Sequence, residues 1–116
     1  MYEQMVVAVG GKRWSLPMAQ VVEVVGLQHT TPVPLGPRAL LGLMHLRGQI
    51  ILVVDLHAAL LGEEPGGATL PDEPLLVVRT AETTIGLRVD EVLGPGHDDT
   101  AQPIDLSIVV GRLREE

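Results

Sequence analysis

The sequence has no cysteine and no phenylalanine, and only one Trp and one Tyr in 116 residues. Without cysteine there is no disulfide framework, no thiolate nucleophile and no Cys-ligated zinc, a usage compatible with a reducing cytosol. Almost free of aromatics, the chain has no stacking platform for single-stranded nucleic acid, and its core must be packed from Leu, Val, Ile and Ala. Positive charge is scarce too. Eight basic residues against 15 acidic ones give a formal charge of −7, a field that repels nucleic acid and anionic lipid and leaves proteins or neutral surfaces as the expected partners. Long apolar runs are also missing: the first, Met5 to Val9, follows acidic Glu3 and is too short for a signal peptide or a membrane span. A soluble, unexported, cytoplasmic protein without membrane insertion is expected.

What is present is a globular balance, 46% hydrophobic and 20% charged, in a length that suits a single domain over residues 1–116. The chain is organised around Gly42 to Leu56, GLMHLRGQIILVVDL. Leu43 to Leu46 leads in, Gln49 to Val54 leads out, and Arg47-Gly48 lies between. Gly48 takes a positive backbone φ without steric cost, so a tight reversal or bulge between two strands is predicted there. Ile50 to Val54 is too short for a helix and too continuous for a half-exposed strand, which predicts burial on both faces. Arg47 must either reach water from the turn or be paired, since an unpaired buried guanidinium costs several kcal/mol.

Gln4 to Val9 and Lys12 to Leu16 read as a hairpin about Gly10-Gly11, with Trp14 and Leu16 on one face and Arg13 and Ser15 on the other. Pro17 breaks the second strand. Met18 to Val25 then carries competing helix and strand signals, and one helical turn opening into an extended segment is predicted. Gln28 to Pro37 is loop, and Pro37 suits the first position of a short helix over Arg38 to Leu43. Asp55 is placed to cap a helix over Leu56 to Leu61, with Gly62 as its left-handed stop. Gly62 to Pro74 reads as a mobile acidic loop and the preferred site of proteolytic nicking. Leu75 to Arg79 is a buried strand, and Ile85 to Val92 another. In the latter, Ile85, Leu87 and Val89 share one face while Gly86, Arg88 and Asp90 share the other, so Arg79, Arg88, Asp90 and Glu91 are expected to form at most exposed ion pairs. Leu93 to Pro103 is read as loop and Ile108 to Val110 as a last strand.

The search for an active site is thin. Ser15 and Ser107 stand in no nucleophile-elbow context, and Gly10-Gly11 and Gly66-Gly67 have no phosphate-loop spacing. The four histidines are scattered. His97-Asp98-Asp99 is the best metal candidate but lacks the three or four convergent ligands a structural site needs, and a small hydrolase or metal enzyme would have to draw on Asp55, Asp90 or His97 without a convergent constellation. No catalytic residue, metal site or cofactor is assigned.

The anchor segment resembles the Asn-Leu-Arg-Gly run, apolar strand and Val-Asp-Leu ending of CheW-like domains, the coupling modules of bacterial chemotaxis, with His45 where that family usually has Asn. The N-terminal strand pair ending in Leu16-Pro17, the Val21-Val22-Glu23-Val24 segment and Ile85 to Val92, which resembles the family's Gly-Leu-Val-Val-Asp-x-Val strand, follow in the family's order. The resemblance spans about Met5 to Val92. It implies a mainly β fold of two small intertwined five-stranded barrel-like subdomains with one or two short helices, and a non-enzymatic job bridging a chemoreceptor cytoplasmic tip to the regulatory domain of the histidine kinase CheA. On the same resemblance, Val21, Glu23 and Arg47 match partner-contacting positions, and Leu46, Gly48, Asp55 and Asp90 belong to the matched structural motifs. The family's closing strands have only a poor counterpart in Asp105-Leu106. If strands are missing, an edge is left open to self-association.

Overall fold

β-branched side chains are stiff at χ1 and pack best on a pleated surface, and here they recur in short runs punctuated by Gly and Pro. In the computed structural model, which describes residues 4–114, these runs form nine strands and two short helices. Glu3 lies outside the described residues. Strand β1 (Gln4–Val9) turns through Gly10 and Gly11, both at positive φ, into β2 (Lys12–Pro17). A single 3-10 turn over Met18–Gln20 leads into β3 (Val21–Gly26), the mixed helical and extended segment expected there. Strands β4 (Leu40–Leu46) and β5 (Gln49–Asp55) form the anchor hairpin, and helix α1 (Leu56–Leu61) follows at once. Then come β6 (Pro74–Arg79), β7 (Thr84–Arg88), β8 (Glu91–Gly96), β9 (Gln102–Pro103) and helix α2 (Leu106–Arg112).

The strands divide into a four-stranded sheet in the order β8-β1-β2-β9 and a five-stranded sheet in the order β3-β6-β7-β5-β4. Among the described residues only the β5–β7 and β2–β9 pairs are parallel. The central strands of the larger sheet are buried on both faces because each face meets a different core. From β5 and β6, Val54, Leu76 and Val78 join Val7, Val9, Trp14, Leu16 and Leu56 in the main core between the sheets, whereas Ile51, Val53, Leu75 and Val77 pack with Leu27 and Met44 in a second one. The mainly β architecture of two sheet subdomains with two short helices is thus as expected, except that the first sheet has four strands among the described residues.

Several local expectations fail for identifiable reasons. No helix forms over Arg38 to Leu43, because Leu40 to Leu46 pairs along β5, with Leu40 opposite Val54 and Leu46 opposite Gln49. Ile50 is 61% exposed instead of buried: β7 joins β5 only from Leu52 onward, so Ile50 projects past its neighbour. Ile85 to Val92 is not one strand. It breaks at Val89-Asp90, where the chain leaves the five-stranded sheet and enters the four-stranded one as β8. The predicted loop over Leu93 to Pro103 therefore contains most of β8 and all of β9.

The expected strand at Ile108 to Val110 is instead part of α2. Asp105 accepts from the Ser107 amide at its start, and Leu106 and Val109, three residues apart on one helical face, are buried in the main core. With the Ile104 amide donating to the Ser15 carbonyl at 2.7 Å, this segment closes on its own chain.

Candidate functional site

The β4–β5 reversal is a two-residue loop with Arg47 at φ 51° and Gly48 at φ 79°. Two successive positive φ values give the hairpin turn that matches strand twist, and the second is free only to glycine. Arg47 adopts the first despite its Cβ, and its side chain, 69% exposed, reaches Glu23 on β3. Because β3 and β4 are opposite edges of the five-stranded order, this pair closes the curl of that sheet. Next to Glu23 in the chain Val22 and Val24 are each 44% exposed, and Ile50 stands out two residues after Gly48. Of the residues matched to partner contacts, Glu23 and Arg47 are brought together, while Val21 packs partly into the main core. Leu46 leans on the second core. His45 is exposed.

Asp55 and Arg88 make a different arrangement. Asp55 is fully buried: Oδ1 accepts from the Ala58 amide at 3.1 Å, the predicted helix cap, and Oδ2 accepts from the Gly66 amide at 3.0 Å and from Arg88 Nη1 at 3.2 Å. Gly62 at φ 69° ends the helix as expected. Arg88, 7% exposed, also donates through Nε to Glu73 Oε1 at 2.9 Å, through Nη1 to the Gly67 carbonyl at 2.9 Å and through Nη2 to the Ala68 carbonyl at 3.0 Å. An exposed, weak Arg88 pair was expected; the structure overturns that. β7 lies between β6 and β5, and Ile85 to Arg88 are buried on both of its faces. The same guanidinium holds the Gly67 and Ala68 carbonyls while Asp55 holds the Gly66 amide, so the acidic loop Gly62 to Pro74 is tethered at its middle.

Asp90 sits in the link between the sheets. Its Oδ2 accepts from the Gly10 amide at 2.9 Å, and its Oδ1 lies 2.8 Å from His57 Nε2. His97 pairs with Asp99 on the surface, and Asp98 is held at a pKa of about 2 by the hydroxyl and amide of Thr100 and by Arg13. Among the described residues no cluster of three or more His, Asp or Glu is arranged to hold a metal ion, and no helix is long and apolar enough to cross a membrane. Asp55, Asp90 and His97 each face their own protein partners.

Comparison with known proteins gives a consistent picture. A family model described as the CheW-like domain matches residues 3–97. A probable chemotaxis protein CheW of Rhizobium etli is 31% identical over 84 residues, covering 72% of this chain and 53% of the relative. Among solved structures, the crystal structure of the scaffolding protein TtCheW from Thermoanaerobacter tengcongensis superposes with a TM-score of 0.70 at 28% identity, covering 85% of this chain and 64% of that one. The chain thus spans about half the length of the curated relative it matches.

Proposed function

The chain belongs to the CheW-like domain family, a family of non-enzymatic scaffold proteins, and from that premise we propose that residues 1–116 act as one adaptor domain coupling a chemoreceptor tip to the regulatory domain of the histidine kinase CheA in the cytoplasm. The observation that supports this reading is the surface contact of Glu23 with Arg47, with exposed Val22, Val24 and Ile50 close to them in the chain. Exposed apolar side chains mixed with charged ones suit a transient protein interface. In this reading Glu23 and Arg47 contact the partner, and Val21 seats β3 so that Val22 and Val24 are presented outward.

The test is capture of the intact chain by an isolated CheA regulatory domain and by a receptor-tip fragment, with Arg47→Glu and Val24→Glu alongside. Binding by at least one partner, lost in both variants, supports the adaptor. Failure of both partners to bind a folded wild-type chain removes it. A self-associating scaffold is the second reading, favoured by β8 standing at the edge of the four-stranded sheet with Leu93 42% exposed. Light scattering across a dilution series separates it from a monomer.

A further inference from the structure

His57 stands between two carboxylates. Its Nε2 lies 2.8 Å from Asp90 Oδ1 and its Nδ1 lies 3.6 Å from Glu63 Oε1, with only 19% of the side chain exposed. The second Asp90 oxygen takes the Gly10 amide, and the Asp90 amide in turn donates to the Ala8 carbonyl at 3.0 Å. The loop lies close against the ring as well: a Cβ on Gly66 would come within 3.0 Å of His57 Cδ2. These groups come from separate parts of the fold. His57 belongs to α1, Glu63 follows it, Asp90 is the link between the sheets, and Gly10 is the tip of the β1–β2 hairpin.

A neutral imidazole has one N–H, so between two carboxylates one of its nitrogens must turn a lone pair toward negative charge. Only the imidazolium donates on both sides. We propose that His57, Asp90 and the Gly10 amide form a proton-controlled clasp, which fastens the hairpin of the four-stranded sheet to helix α1 while the imidazole is charged and loosens when the proton leaves.

The electrostatic surroundings act in the same direction. The hydrogen bond to Asp90 raises the His57 pKa above 6.5; burial opposes this, and the charges of Asp90 and Asp55 and the contact with Glu63 reinforce it. For Asp90, burial pushes upward but is outweighed by His57, the Gly10 amide and the charge of Arg88, which leave its pKa below 3.8. The histidine's contribution is therefore fully present below pH 6.5 and is lost as pH rises through its folded value. That of Asp90 is present above 3.8 and is lost as pH falls through its own folded value. The clasp is closed between these limits, and its alkaline opening belongs to His57.

The experiment is an NMR titration of the intact chain from pH 5 to 9. It follows the His57 ring and the exchange protection of the Gly10 and Asp90 amides, each referred to the unstructured rate at the same pH. The expected result is that His57 titrates above a free histidine and that Gly10 protection falls several-fold in step with it, while amides in the middle of β6 hold theirs. In His57→Gln, neutral throughout, the Gly10 step disappears. A His57 ring titrating at or below the free value, or Gly10 protection that is flat in the wild type or declines equally in His57→Gln, overturns the clasp. If the variant does not fold, co-titration of ring and amide in the wild type decides alone.

Discussion

Arg47 and Arg88 are each held by a carboxylate from a distant part of the chain, yet Arg47 keeps 69% of its side chain in water and Arg88 keeps 8%. Around Arg47 solvent screens the pair, and whatever Glu23 supplies can be replaced by water or by another protein's carboxylate. Arg88 has no such alternative. Two carboxylates and two carbonyls take up four of its five N–H donors in a place where an unpaired charge would be severely penalised. The same chemistry thus serves as a removable surface contact in one region and as a fixed internal tie in the other. Burial, not partner type, decides which.

That comparison is broken most directly at Arg88. Arg88→Met strands Asp55 inside the protein and leaves the half-buried Glu73 without its partner, and is expected to cost about 3–5 kcal/mol, read from urea unfolding. Limited proteolysis of the same variant should now cut between Gly62 and Pro74, because Gly67 and Ala68 lose their tether. A loss under about 1 kcal/mol would put Arg88 in the class of surface pairs. Gly48→Ala comes next. With open space around its Cβ, the penalty is conformational only, about 1–2 kcal/mol for a side chain forced into the left-handed region.

The two Asp-Leu helix starts sharpen the contrast further. Asp105 is exposed and caps α2, so Asp105→Ala should cost about 1 kcal/mol, whereas Asp55→Ala loses a similar cap and also leaves Arg88 short of a buried partner. Parallel denaturation curves compare the two, and Asp55→Ala should be clearly the worse. Smallest of all is Arg47→Ala, expected to change stability by less than about 1 kcal/mol. A large loss there would move Arg47 from the partner surface into the scaffold.

Features set by near neighbours in the chain could be read before any coordinates. The Asp55 cap, the Gly62 stop, the reversal at Arg47-Gly48 and the hairpin at Gly10-Gly11 all depend on residues within one turn of each other. What escaped depends on distant pairing. The alternation of Ile85 to Val89 breaks at the adjacent acidic residues Asp90 and Glu91, but that local break does not say that the chain changes sheets there. Pro37 and the leucines after it suit a helix, but the partner strand β5 outweighs that preference. Ile108, Val109 and Val110 look like strand by branching, and only the buried face of Leu106 and Val109 makes them helical. At the candidate site, Glu23 and Arg47 were legible as exceptions to apolar runs, but their contact across 24 positions was not. His57 gave no sign of itself until Asp90 was found beside it.

The four-stranded sheet takes its first two strands from residues 4–17 and its other two from 91–103, with the whole five-stranded sheet spelled out in between. During synthesis, the β1–β2 hairpin therefore emerges before the five-stranded sheet and waits for flanking partners that are made after it. The middle sheet can pair as soon as residue 88 is available, so it is the natural first half to fold, and docking of the returning segment onto the hairpin becomes the slow, high-contact-order step.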